Sequence, residues 1–173
     1  MGEAAEPTVA ATIEAVALTE EAWSPFGWLP VDDTDGRDGS HRLHYEWADP
    51  HVNKIGHTLG EVPVIPGGLR CQMLFRHVTH TQVLMVLDHP CVLGVAPPFA
   101  ALDTPEDLAQ IRAFRLEPLE SLVLYRATWH WGPFPVGGHD EVRLFNMQGL
   151  HYADDNEMAD LAAAGMAVDV IVS

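Results

Sequence analysis

TQVLMVLDHPCVLGVAP, residues 81 to 97, decides the fold. Two apolar runs, each too short for a helix of ordinary length, flank the turn residues Asp88, His89 and Pro90. Such runs read as buried strands joined by a hairpin or by a corner of a β-sandwich. Upstream, RHVTHTQ (Arg76 to Gln82) leads into the first run. Downstream, ESLVLYRATWH and DEVRLFNMQ read as two further strands, the second following the Gly137-Gly138 turn.

The same pattern extends to both ends. TIEAVAL, HRLHYEW and MAVDVIV show strand-like patterns, and WLPVDD enters an exposed loop, DDTDGRDGS. HVNKIGHTLGEVPVIPGGLRCQMLF carries strand-like pieces broken at Gly56, Gly60, Pro63, Pro66 and Gly67-Gly68. Helix signals are short. Thr19 caps EEAW, Thr104 with Pro105 starts a turn before a strand at 111–114, and NEMADLAAAG reads as a short helix closed by Gly165. Many short strands and little helix predict an all-β sandwich or jelly-roll barrel with an open mouth, into which inward-facing polar side chains converge.

At 173 residues the chain forms one domain, drawn here as residues 12–173 behind a loose tail at 1–11. The acidic N-terminal stretch and the lack of an 18-residue apolar run predict a soluble, cytoplasmic protein. Cys71 and Cys91 lie in apolar surroundings without CxxC spacing, which predicts buried thiols. With 25 acidic residues against nine basic ones, the net charge of −16 argues against a nucleic-acid backbone or an anionic membrane as partner. A small anionic substrate is compatible with it, because one inward-facing arginine fork can hold a carboxylate.

Ten histidines stand in the chain. His41, His51, His57, His89, His139 and His151 occupy turn-rich or polar stretches and read as surface or structural. His77, His80 and Gln82 enter a strand together, and His130 sits between Trp129 and Trp131 at the end of another. On an extended chain His80 and Gln82 share a face, and His77 joins them only across a bend. With His130 they would suit a divalent first-row transition metal with open positions; the alternative is a set of hydrogen-bonded core histidines. The tryptophans would wall a pocket or pack as core.

Three stretches resemble the ureidoglycolate lyase family, also called ureidoglycolate hydrolase, of the cupin superfamily: EEAWSPFGWLPVDD, RHVTHTQVLMVL, and DTPEDLAQIRAF with YRATWHWGPFP. The similarity runs from about residue 12 to about residue 147. It implies a cupin-type double-stranded β-helix, a homodimer, and cleavage of ureidoglycolate to glyoxylate and urea. It places His77 and Gln82 on ligand positions of the first cupin motif and His130 on the histidine of the second, while Arg76, Arg126 and Trp129 match further family positions. The chain departs from the family pattern with Phe75 in place of a glutamate, with Trp131 and Gly132 after His130, and with the additional His80.

The expected site therefore has His130, His77 and Gln82 in catalysis and His77, His80, Gln82 and His130 around a metal. Arg126, Arg76 or Arg42 would bind the carboxylate, with Trp129, Trp131 and Phe75 lining the pocket. Cleaving the hemiaminal needs a base for the hydroxyl, a proton donor for the departing nitrogen and a cation for the carboxylate. Two alternatives keep the barrel: an enzyme for a bulkier substrate (lyase, isomerase, dehydratase or oxygenase), or a carboxylate-binding protein without turnover.

Overall fold

Alternation of apolar side chains builds a protein almost wholly of strands. The computed structural model describes residues 6–30 and 50–172. In chain order the elements are β1 (Thr8–Ala17), α1 (Glu20–Trp23), β2 (Gly27–Trp28), β3 (Pro50–Thr58), β4 (Val64–Ile65), β5 (Gly68–Cys71), β6 (Met73–Arg76), β7 (Gln82–Val86) and β8 (Cys91–Ala96). Then come α2 (Pro105–Leu108), β9 (Arg112–Leu116), β10 (Ser121–Leu124), β11 (Trp129–Pro135), β12 (Glu141–Gly149), β13 (Glu157–Asp160) and β14 (Met166–Ile171).

The strands form a nine-stranded sheet, ordered β13-β6-β11-β8-β9-β1-β14-β5-β4, and a five-stranded sheet, ordered β2-β10-β7-β12-β3. From β6 to β13 the chain passes repeatedly from one sheet to the other: β7, β10 and β12 lie in the smaller, β6, β8, β9, β11 and β13 in the larger. This is an all-β jelly roll. The Asp88-His89-Pro90 turn is thus a corner and not a hairpin, because β7 and β8 belong to different sheets. Every residue of β8 is buried. Cys91, Leu93 and Val95 pack in the core with Leu84, Leu122 and Leu144 of the smaller sheet. Val92 and Ala96 join a second core with Leu161 and Val168, so the unbroken apolar run has an apolar neighbour on each face. Cys71 and Cys91 are buried free thiols, as expected.

Four expectations are corrected. The first strand begins at Thr8, inside the stretch read as a tail, because β1 is held in parallel pairing by β14 and β9. Gly56 does not interrupt β3, which pairs with β12 along its length. ESLVLYRATWH is two strands: Ala127 adopts φ 64, and the amide of Thr128 donates to the carbonyl of Tyr125 at 3.2 Å, turning the chain from β10 into β11. NEMADLAAAG forms no helix, because Glu157–Asp160 pairs antiparallel with Met73–Arg76 as β13, a tertiary contact that overrides local propensity. Its Gly165 does close the following turn, at φ 73. The caps at Thr19 and Thr104 stand as expected. HRLHYEW, the DDTDGRDGS loop and Arg42 lie outside the described residues. Among the described residues no helix is long and apolar enough to cross a membrane.

β11 carries a bulge between Trp131 and Phe134, and its Gly132 has φ 85, where a Cβ would lie 2.8 Å from the amide nitrogen of Phe134 and 3.0 Å from the carbonyl oxygen of Val92. Only glycine fits. Trp131 then packs edge-on to Phe134, ring centroids 5.0 Å apart, and lies over Gly94 on β8, where an added Cβ would come within 3.0 Å of the indole. Gly94→Ala is therefore expected to lower stability by about 1–3 kcal/mol through overpacking, read from urea unfolding with indole fluorescence; an unchanged midpoint would show that the ring shifts freely.

Candidate active site

A cavity of about 710 Å³ opens between the sheets, with His77, Gln82, His130, Asn146 and Gln148 among its polar lining and Phe75, Trp131 and Phe134 among its apolar lining. The volume is that of an ordinary small-molecule site. The polar belt was foreshadowed on β12: Val142, Leu144, Asn146 and Gln148 are all buried, and they are successive alternate residues that share one face of the strand. Core leucine and valine give way to amides where the cavity begins.

His77 and His80 lie in the bend between β6 and β7, and Gln82 opens β7. The bend brings the rings together: His77 stacks on His80 with centroids 4.8 Å apart, and His130 lies 5.4 Å from His77. Asp155 organises this bend. Its carboxylate accepts from the amides of Val78 and Thr79 at 2.9 and 2.8 Å and from the Thr79 hydroxyl at 2.6 Å. It also lies 3.3 Å from His80 Nδ1. The backbone carbonyl of the same residue accepts from His77 Nδ1 at 3.0 Å. On the other side, the Ala127 amide donates to the His77 carbonyl at 2.7 Å, and the Thr128 carbonyl accepts from His130 Nδ1 at 3.3 Å.

These acceptors fix the tautomers. Oxygens face Nδ1 of all three rings, so each carries its proton there and leaves a lone pair on Nε2. His80 Nε2 is buried with no hydrogen-bond partner. Gln82 is oriented in the same sense: its Nε2 donates to Asn146 Oδ1 at 2.9 Å and to Gln148 Oε1 at 3.3 Å, while its Oε1 is buried without a partner. Asn146 in turn donates to Asn53 Oδ1 at 2.8 Å.

Burial keeps the rings uncharged. It lowers the proton affinity of His77, brings His80 down to about 4 with help from His77, and brings His130 down to about 3, again with help from His77. For Asp155, burial pushes the carboxyl up, but the Thr79 and Val78 hydrogen bonds outweigh it and hold the group below its ordinary range. The ion beside His80 favours the charged imidazole, and desolvation wins.

His77, His80 and Asp155 could hold a metal ion, their ligand atoms lying within 4.8 Å of one another. Asp155 was not foreseen from sequence, and its oxygens already serve Val78 and Thr79. Two further donors, His80 Nε2 and Gln82 Oε1, are buried without a partner, whereas His130 stands outside the His77, His80 and Asp155 group. Neutral imidazoles whose other nitrogen is tied to a carbonyl or carboxylate, beside a free amide oxygen, fit a divalent first-row cation.

Other expected site residues are placed elsewhere. Arg76 pairs with Glu157 at 2.6 Å, donates to the Pro98 carbonyl at 3.1 Å and lies 4.2 Å over the Trp129 ring, outside the cavity lining. Trp129 is buried in the core, its Nε1 donating to the Ala100 carbonyl at 3.0 Å, so Trp131 and Phe75 line the cavity without it. Arg126 is exposed at the β10–β11 corner. The cavity lining instead contains four charged or titratable groups that the sequence did not single out as site residues: His57, Glu61, Arg70 and Tyr152. His57 Nδ1 is 3.0 Å from Glu61 Oε2, and Glu61 Oε1 accepts from the Thr58 amide at 2.7 Å. The Thr58 to Glu61 spacing was a legible capping box.

No protein-family model matches the chain. The ureidoglycolate lyase of Pseudomonas putida (strain W619) is 27% identical over 165 residues, covering 85% of this chain and 95% of that protein. That of Stutzerimonas stutzeri (strain A1501) is 29% identical over 154 residues, covering 80% and 84%. Among solved structures, a dTDP sugar isomerase from Desulfovibrio desulfuricans G20 superposes with a TM-score of 0.46 at 14% identity, covering 82% of this chain and 89% of that one.

Two outcomes are expected. Asp155→Ala should cost about 1–2 kcal/mol by removing charge-assisted bonds to the exposed Val78 and Thr79, and should accelerate hydrogen exchange at both; unchanged exchange would show that the bend holds itself. In chelator-treated protein, His80 has a folded-state proton affinity below its unfolded value. Its contribution is therefore complete above about pH 6.5 and is lost as the pH falls towards 4. His80→Gln should flatten the decline of stability between pH 6 and 4.5 by about 1 kcal/mol per pH unit, and identical slopes would refute the assignment.

Proposed function

We propose that this protein is a C–N lyase that cleaves ureidoglycolate, or a close hydroxylated carboxylate analogue, to glyoxylate and urea. The observation that carries the reading is the convergence of polar side chains on one cavity: His77, Gln82 and His130 line its wall, and Gln82 Oε1, with His80 Nε2 beside it, is buried without a hydrogen-bond partner. The similarity to enzymes named ureidoglycolate lyase supports the choice of reaction.

A divalent cation held by His77, His80, His130 and Gln82 would supply Lewis acidity that makes the substrate hydroxyl easier to deprotonate. The rings alone are poor bases, since burial holds His130 near 3. What they offer is nitrogen free of competing protons over a wide pH range. The proton of the hydroxyl goes to His57, whose Nδ1 is engaged by Glu61 and whose Nε2 remains to accept it. As the carbonyl forms and the C–N bond breaks, His57 returns that proton to the departing nitrogen. Trp131 and Phe134 line the same space and limit water.

One observation favours a second reading. The cavity is far larger than ureidoglycolate requires, and Phe75, Trp131, Phe134 and Tyr152 give it an aromatic wall, which suits a bulkier hydroxylated carboxylate. The test is urea release from ureidoglycolate by purified protein, with and without chelator. We expect release well above the spontaneous rate, suppressed by chelator and reduced at least about 100-fold in His130→Ala and His77→Ala. Release equal to the spontaneous rate would remove ureidoglycolate as substrate and leave the bulkier class.

A further inference from the structure

The reaction proposed above needs a cation for the substrate carboxylate, and of the arginines suggested by sequence the two among the described residues, Arg76 and Arg126, do not line the cavity. Arg76 is spent on Glu157, Pro98 and Trp129. Arg70, on β5, is the only arginine or lysine that lines the cavity among the described residues. Its side chain is held in place from behind: Nε donates to Asp169 Oδ1 at 2.7 Å and Nη2 to Asp169 Oδ2 at 3.2 Å. The partner is its cross-strand neighbour on β14, so the backbone register itself sets the pair. The pair is largely shielded, with 21% of the arginine side chain and 16% of the aspartate side chain exposed.

A guanidinium has five N–H groups. The side-on pair with Asp169 uses Nε and one hydrogen of Nη2, which leaves the end-on edge of Nη1 and Nη2 without a bonded partner among the described residues. That edge is a second bidentate face, oriented by the first. Among the described residues Glu61 is the only carboxylate lining the cavity, and its oxygens are occupied by His57 and Thr58; Glu6, outside the lining, adds to the field of Asp169 on Arg70 and makes no hydrogen bond to it. In a chain with a net charge of −16, an anion enters only where a fixed local cation offsets the surrounding field.

We propose that Arg70, held by Asp169, is the carboxylate anchor of this cavity, so that its ligands are carboxylates seated on Arg70 with their reacting end towards His77, Gln82 and His130. The inference rests on the reading of the cavity as a lyase site but is tested apart from it.

Calorimetric titration with glyoxylate, with phenyllactate as a bulkier carboxylate and with uncharged glycolamide is the experiment. The two carboxylates should bind and glycolamide should not. Arg70→Met should weaken carboxylate binding by about 10- to 100-fold, as loss of a charge-assisted fork implies, and Arg70→Lys, which keeps the charge without the fork, should fall between. Arg70→Met combined with Asp169→Met leaves no unpaired carboxylate in the sheet, so it guards against a folding defect and should behave as the single variant does. Wild-type affinity in Arg70→Met, or no carboxylate binding by the native protein, overturns the anchor. Absence of urea release alongside Arg70-dependent binding overturns only the reaction proposed above. Urea release with an unchanged KM in Arg70→Met overturns only the anchor.

Discussion

The site depends on the two ways in which Asp155 is used. Its carboxylate closes the bend after β6 by accepting from Val78 and Thr79, and its own backbone carbonyl takes the Nδ1 proton of His77. One residue thereby fixes the path of the chain and the rotation of the ring that the path carries. A bend of that kind cannot be made by propensity alone, since residues 77 to 81 pair with no strand, and its amides require acceptors once they leave water. The acceptor arrives from far along the chain, between β12 and β13.

The second half of the site is held by the corner between β10 and β11. Ala127, at φ 64, donates its amide to the His77 carbonyl, and the neighbouring Thr128 carbonyl faces His130 Nδ1. Thr128 is itself anchored, its hydroxyl donating to the Phe26 carbonyl at 2.9 Å. The same short turn thus orients histidines on both sides. All three rings have Nδ1 facing an oxygen, and desolvation lowers the proton affinity of each, so they remain neutral; His77 and His130 line the cavity while His80 lies behind them. For His80 desolvation outweighs the nearby Asp155 carboxylate.

The histidines and the strands were legible for different reasons. Unbroken apolar runs located β7 and β8, the second buried on both faces, and strand-like patterning located β12 and β14, whereas the His77, His80, Gln82 and His130 set was found because polar residues stood beside apolar runs. The helix expected over NEMADLAAAG failed because pairing of Glu157–Asp160 with β6 is a long-range event with no local mark. Asp155 and Arg70 were missed for the same reason. Each matters through a partner some eighty or a hundred positions away, 77 residues for Asp155 with Val78 and 99 for Arg70 with Asp169. Arg76 was expected in the site from its family position; at the end of β6 its guanidinium turns to Glu157, the Pro98 carbonyl and the Trp129 ring, contacts that come from 22 to 81 positions along the chain and leave no local mark. Asn146 and Gln148 could have been found: amides continuing the buried face of Val142 and Leu144 mark the point where packing yields to a cavity.

The floor and the walls of this cavity are therefore under separate constraints. The floor is fixed by backbone carbonyls and the Asp155 carboxylate, which act on histidine rings regardless of what the ligand is. The walls come from β3, β5, β6 and β11, where Phe75 and Trp131 add aromatic surface and the Gly132 bulge lets Trp131 lie against Phe134. A change in these walls alters which molecule fits without disturbing the tautomers beneath it, since none of the hydrogen bonds that set them involves Phe75, Trp131 or Phe134. The bend and the corner thus set the orientation of the histidine rings, whereas the aromatic wall sets the shape of the space before them, and the two can vary independently within one jelly roll.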